Sequence, residues 1–357
     1  MENSWLNSEL GDPWKGASLL GEDPCWDFGG WWQGGYHTRS DGIFNTYPNH
    51  VQLQQGYLYV QKVADGSEGF DWGGRMDMVY GTDAPNTQAF GNHFGRYDFN
   101  SAFNMGQYGW AFPQAYIEGA YHDFSVKVGH FYTLLGYQVV PATGNFFYSI
   151  PWTFNFAEAF THTGALGTYK ASDDVTLYGG WTLGWDTGFD QYHGGSSFLG
   201  GASVKLLDNV TATYICTAGN LGWIGSGYTH AIVVDYVIND KWEYVFQTDL
   251  DHTNVDPYNA TFGRTPGDAW NTIGVNQYLF YNLTSRVRAG ARAEWWKFNG
   301  DSIYDITAGT NIKVTPNFLL RPEWRYRWSP ALQNNAVAND TFNFEKGIFA
   351  MDAIITY

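Results

Sequence analysis

Residues 285–300, SRVRAGARAEWWKFNG, alternate with a period of two. Arg286, Arg288, Arg292 and Glu294 share one parity, and Val287, Ala289, Ala291, Ala293 and Trp295 share the other. Two is the side-chain period of a β-strand; a helix would spread the arginines around its circumference. Residues 318–328, FLLRPEWRYRW, repeat the pattern. There Arg321, Glu323, Arg325 and Arg327 oppose Leu320, Pro322, Trp324, Tyr326 and Trp328. One face of each strand is charged and the other is built of small aliphatics and aromatics. A soluble sandwich would turn the apolar face to a core. A membrane barrel would turn it to lipid and enclose the charges around water. Aromatics gathered toward one end of the apolar face resemble an interfacial girdle more than a tight core, and favour the barrel.

Composition agrees. Of 357 residues only 15% are charged, against an average of about 25%, while 19% are aromatic and 43 are glycine. Mean hydropathy is nevertheless −0.33. No apolar run reaches the ~18 residues of a membrane helix. Low charge with a hydrophilic average is what alternation in a large barrel produces, although aromatic-rich soluble lectins and glycoside hydrolases share it. The net charge of −16 excludes nucleic acid as a partner, since no basic excess exists to displace counterions from phosphate. Cys25 and Cys216 fall near opposite ends of the expected barrel, so no disulfide is expected. No secretory leader is visible, and any signal peptide is taken as already removed.

In chain order, residues 1–25 lack periodicity and are expected to form an irregular periplasmic or lumenal lead-in. The barrel occupies 26–357. Strands are expected at 26–38, 50–63, 70–81, 114–121, 124–133, 156–170, 175–185, 197–206, 210–218, 228–237, 242–251, 270–281, 285–298, 303–314, 318–328 and 344–357. This is an all-β, antiparallel transmembrane barrel of about 16 strands. Connections alternate short and long along nearly the whole chain, which fits short periplasmic turns and longer extracellular loops. A sandwich has no reason to shorten every second turn. Phe349, Met351, Ala353, Ile355 and Tyr357 close the chain in alternation on an aromatic, like the terminal signal of outer-membrane barrels.

The stretches LLGYQVVPATGNFFYS (134–149) and YGGWTLGWDTGFD (178–190), with that closing strand, resemble the OmpL-like β-barrel porin family of Gram-negative outer membranes. The resemblance spans about residues 26–357. It implies passive diffusion of small hydrophilic solutes and ions through a charge-lined pore, no cofactor and no enzyme activity. It also implies a partnership with outer-membrane lipid, a homo-oligomer with a trimer favoured, and a loop folded into the lumen between strands five and six. Residues 134–155 occupy that slot. They contain no acidic residue, which puts an acidic eyelet on this loop in doubt.

If the apolar parity faces lipid, the pore is lined by Arg75, Asp77, Glu118, Lys127, Glu158, Arg286, Arg288, Arg292, Glu294, Arg321, Glu323, Arg325 and Arg327. Opposed charges across confined water would create a transverse field. The arginines would bias the late wall toward anions, or would pair with lumenal carboxylates and brace it. On the loop, Tyr137, Phe146, Phe147, Tyr148 and Trp152 would constrict the pore, either as a sugar slide or, more often for such residues, as anchors to the wall. Asp249, Asp251, Asn254 and Asp256 fit no full calcium loop and are expected as a solvated acidic loop, as is the Asp186–Asp190 pair. No metal site is expected. For catalysis, His122, His130 and His162 lie near serines such as Ser125, but no Gly-x-Ser-x-Gly elbow exists. The rival from another class is a soluble β protein that binds or hydrolyses glycans.

Overall fold

Strands with one wet and one apolar face satisfy every backbone group only if the sheet closes on itself. The computed structural model describes residues 10–16, 25–100, 104–257 and 267–357. In it, sixteen antiparallel strands form a closed barrel in which each pairs with its sequence neighbours and the first closes on the last. They are β1 (Asp27–His37), β2 (Gln52–Lys62), β3 (Phe70–Gly81), β4 (Gly109–Tyr121), β5 (Phe124–Tyr132), β6 (Thr161–Lys170), β7 (Val175–Thr182) and β8 (Ser196–Leu207). The second half is β9 (Val210–Asn220), β10 (Ser226–Val237), β11 (Trp242–Thr253), β12 (Trp270–Asn282), β13 (Val287–Phe298), β14 (Asp301–Thr315), β15 (Phe318–Trp328) and β16 (Lys346–Thr356). Three short helices sit in the connections: α1 (Ala84–Thr87), α2 (Trp152–Ala157) and α3 (Ala336–Phe342).

Burial shows which parity is enclosed. On β15, Arg325 is 1% exposed and the adjacent Trp324 is 50% exposed. On β13, Arg288, Arg292 and Glu294 are buried while Ala291 and Ala293 are exposed. On β16, Asp352 is buried and Phe349, Met351 and Ile355 are exposed. An outer wall this apolar is stable against hydrocarbon, not bulk water. Rings gather at both of its rims: Trp242 with Tyr281 at the short-turn end, and Tyr304 stacked on Trp328 at the other.

Several boundaries differ from expectation. β6 begins at Thr161, because residues 152–157 coil into α2, so the β5–β6 loop runs from 133 to 160. Glu158 therefore belongs to that loop and not to the wall, and the loop does carry an acid. Arg286 keeps the inward parity but precedes β13; it sits exposed in the turn between β12 and β13. Lys170 is likewise turned out at the end of β6, paired with Asp173 at 3.0 Å. The β13–β14 connection, at the long-loop end, is only Asn299–Gly300, with Asn299 at φ 43° and Gly300 at φ 102°. Of the lead-in 1–25, residues 10–16 and Cys25 are described and the rest lies outside the described residues. Trp14 exchanges backbone hydrogen bonds with the Asn317 side chain at 2.7 Å each, at the short-turn end. Cys25 and Cys216 form no disulfide with one another.

Among the described residues, L1 (38–51), L3 (133–160) and L8 (329–345) turn into the barrel. Their aromatic side chains make a core inside the ring. Trp152 and Phe156 of α2 pack with Phe342 of α3 against Trp270, Trp296, Phe298 and Ile303 of the wall. Phe44 of L1 packs with Val140 and Phe154 of L3. Phe147 packs against Val245, Tyr278 and Phe280.

Candidate functional site: the lumen and its folded-in loops

The polar side of the wall meets the polar backbone of L3. Helix α2 has no side-chain cap of its own, since Pro151 holds that position. Helix starts leave orphan N–H groups, and Glu294 supplies their acceptor from the wall. It accepts from Trp152 N at 2.9 Å, Thr153 N at 2.8 Å and Thr153 Oγ1 at 2.8 Å. Glu323 accepts from Tyr148 N at 3.0 Å and Ser149 N at 3.2 Å. Arginines bind the loop's carbonyls. Arg292 donates to Ser149 O at 2.9 Å; Arg321 donates to Ala142 O at 2.9 Å and Asn145 O at 2.6 Å.

Further guanidinium donors of the same arginines find carboxylates. Asp352 binds Arg321 through both oxygens. Asp41, on L1, accepts two bonds from Arg325 at 2.7 Å and one from Arg327 at 2.6 Å. Asp305 lies 3.7 Å from both Arg292 and Arg327. Burial pushes the Asp41 carboxyl up, but Arg325 and Arg327 outweigh it and hold the group below the usual carboxylate range. Planar guanidinium suits such sites because it presents a fork of fixed donors and never loses its charge. The arginine rows thus have inward parity, yet they lie beneath L1 and L3.

Toward the short-turn end the inward charges are less covered. Arg75 keeps 22% side-chain exposure and donates to Asp77 at 2.7 Å, which Tyr57 and Gln114 also bind. Glu118 and Lys127 oppose one another across β4 and β5, both half-buried, with the ammonium 4.7 Å from the Tyr116 ring centre. Half-way around the ring, Arg288 donates to Glu243 at 2.6 Å.

The loop aromatics divide similarly. Phe147, Tyr148 and Trp152 are buried; Tyr148 Oη receives Gln54 at 2.6 Å, and Trp152 stacks on Trp296. Tyr137 and Phe146 are half-buried, against Tyr278 and Phe280.

Two expected solvated clusters are enclosed at their aspartates except Asp190, which keeps 38% side-chain exposure beside His93, while Asn254 is exposed. Asp249 and Asp251 point inward from β11 and are buried, as is Asp256. Asp186 is buried too, and accepts from Phe160 N at 2.8 Å and Thr161 N at 3.1 Å at the end of L3. Burial raises its carboxyl to about 7. The strand expected at 175–185 stops just before Asp186, so sequence hides that Asp186 caps backbone, while Asp249 and Asp251 accept from the Gln247 and Thr229 side chains. Among the described residues no group of three or more His, Cys, Asp or Glu could hold a metal ion. His130 meets Thr163 and His162 meets Thr133, while Ser125 donates to Glu118. Asp41, Gln247, Asp305 and Asp352 were not singled out from sequence. Asp352 had a signal, as the inward parity of the closing strand, whereas Asp41 lies in an aperiodic loop.

A closed ring of sixteen strands, apolar outside and charged within, with loops folded into it, defines an outer-membrane channel for passive diffusion. Residues 26–357 match the family described as "Putative beta-barrel porin-2, OmpL-like", and the chain belongs to that family. No curated protein sequence matches it. Among solved structures it is similar to the outer membrane channel DcaP of Acinetobacter baumannii, at 9% identity and TM-score 0.63, covering 97% of this chain and 100% of that one. It is also similar to the anion-selective porin from Comamonas acidovorans, at 10% identity and TM-score 0.62, covering 93% and 99%. OmpT of Vibrio cholerae, described in a trimer form, gives 9% identity and TM-score 0.57, covering 93% and 99%. At these identities the likeness is one of fold. The chain resides in the bacterial outer membrane, where the short turns face the periplasm.

Proposed function

We propose that small hydrophilic solutes and ions cross beside L3, along a charged passage whose periplasmic half is lined by Arg75, Glu118 and Lys127 on one side and Glu243 and Arg288 on the other. The observation that carries this reading is the difference in cover. Arg75 and Lys127 keep exposed surface and the paired Arg288 and Glu243 side chains keep 11% and 13%, while Arg292, Arg321, Arg325 and Arg327 are enclosed and matched to carboxylates or loop carbonyls. β3–β5 and β11–β13 lie opposite one another in the ring, so their charges set a field across the water between them. The covered arginines brace the loops that narrow the external half. Glu294 and Glu323 are part of the same bracing, Asp77 ties Arg75 to the neighbouring wall strands, and Arg286 marks the periplasmic mouth.

Reversal potentials in a salt gradient across a planar bilayer test this division. Lys127→Glu is expected to shift preference toward cations, and Arg288→Ala to lower anion preference. Arg325→Gln is expected to leave selectivity near wild type. A selectivity change on Arg325→Gln as large as that on Lys127→Glu would reverse the assignment.

A trimer fits the same reading. The outer wall carries an apolar groove lined by Phe28, Leu58, Met76 and Tyr357, and a protein of the same fold is known in a trimer form.

A further inference from the structure

We infer that Glu158, Gln247 and Asp249 form a proton-dependent latch that holds both limbs of L3 to the barrel wall, and that loss of one proton from the two carboxylates releases it. The latch deepens the channel reading above and rests on it. Gln247 points inward from β11 and touches L3 twice. Its Oε1 accepts from Tyr137 N, on the entering limb, at 3.1 Å. Its Nε2 donates to Glu158 Oε1, on the leaving limb, at 2.6 Å and to Asp249 Oδ2 at 2.7 Å. Two carboxylates therefore depend on one amide nitrogen. Glu158 is 3% exposed and Asp249 1%. Their other oxygens, Glu158 Oε2 and Asp249 Oδ1, are buried without a hydrogen-bond partner. Gly136, at φ 75°, lies so close that a Cβ there would collide with the Glu158 carboxylate. The carboxylate is thus held in place by the entering limb.

The surroundings supply little to offset a second negative charge. From β11, Asp251 lies beside Asp249 and accepts from Thr229 at 2.9 Å. From β13 comes Glu294, already engaged with α2, and from β12 the Tyr278 phenol, with Tyr137 of L3 next to it. Arg292 of β13, the nearby cation, binds Ser149 and Thr307 and lies 3.7 Å from Asp305. Two adjacent buried carboxylates in such a place titrate as a pair, because the second charge is repelled by the first and neither is hydrated. One bound proton turns an orphan oxygen into a donor and removes the repulsion.

Burial, then the neighbouring Asp249, raise the Glu158 carboxyl well above its ordinary value. The sign follows. A carboxyl with a raised value in the docked state favours docking while protonated. That stability declines as pH rises past the ordinary carboxyl value of about 4.3 toward the raised one. Alkali, and not acid, opens the latch.

Planar-bilayer recordings from about pH 4 to about pH 10 follow this transition from the ordinary carboxyl value upward. In wild type, closures and open-channel noise from a loosened L3 should rise by up to about tenfold per pH unit, the slope of a single proton. Glu158→Gln and Asp249→Asn each remove the need for that proton, so the rise should vanish in both. Heat-modifiable gel migration checks that each barrel has folded, and either variant serves if the other does not fold. Asp186 and Asp83, both raised by burial to about 7, remain in both variants. A rise that survives in the variants therefore belongs to carboxyls other than the Glu158–Asp249 pair and overturns the latch, as does a flat wild-type profile. Amide exchange of residues 137–158 in micelles reads the loop independently of conductance. Release should speed exchange in wild type relative to Glu158→Gln at high pH. Equal rates at every pH would overturn the latch even if the channel conducts, and loss of conductance with an intact exchange difference would overturn only the channel reading.

Discussion

Asp41 accepts hydrogen bonds from two buried guanidinium groups, Arg325 and Arg327, and so ties L1 to β15. Removing one partner of a buried ionic cluster leaves uncompensated charge and typically costs about 3–5 kcal/mol. Asp41→Ala is therefore expected to lower the unfolding free energy, read by denaturant titration in lipid vesicles, by that order, with L1 freed first. Its pH dependence runs opposite to that of the L3 latch. The Asp41 carboxyl is held below the ordinary range, so its contribution is present above about pH 3.9 and is lost only as pH falls through the still lower folded value. Protection of L1 amides from exchange should thus be unchanged at mildly acid pH and fall only in stronger acid. Release of L1 near neutral pH would contradict the pairing.

At the scale of elements, α2 shows how wall and loop depend on one another. Its six residues are too few to be stable alone. It persists because Glu294 satisfies its first N–H groups and because Trp152 and Phe156 find a core with α3 and the wall. Glu294→Ala would leave those donors buried and unpaired, at about 1–3 kcal/mol each. The expected outcome is faster amide exchange across residues 152–157 and larger single-channel conductance, because L3 moves off the passage. A conductance equal to wild type, with α2 exchanging rapidly, would show that α2 does not limit the passage. The strands differ from this helix in needing no outside cap: closure gives each of them two neighbours.

Over the whole molecule, the outer wall is apolar and the charges are inside, so the chain is solvated by lipid around and by water within. A net charge of −16 on such a barrel is carried at its ends, its loops and its lumen. The groove formed by Phe28, Leu58, Met76 and Tyr357 offers one face for a second copy. Chemical cross-linking in native outer membranes is expected to give a species of three times the 40.2 kDa chain. Recovery of single chains only, under conditions that trap other porin trimers, would rule the trimer out.

The period-two pattern of residues 285–300 and 318–328 determined the barrel, because lipid outside and water inside impose opposite chemistry on alternate residues of every strand. The same pattern was enough to place Arg288, Arg292, Arg325 and Arg327 on the inward side and Trp324 on the outward side. It could not show whether an inward arginine meets water or protein. That depends on L1 and L3, whose partners are more than a hundred residues away: Asp41 for Arg325, Ser149 for Arg292. Loops have no periodicity, so their burial is set by contacts across the lumen and not by local sequence. For the same reason Glu158 was misread as wall. Residues 156–160 share the apolar look of a strand, and only packing of Phe156 against Trp296 turns them into the end of a buried helix and its exit.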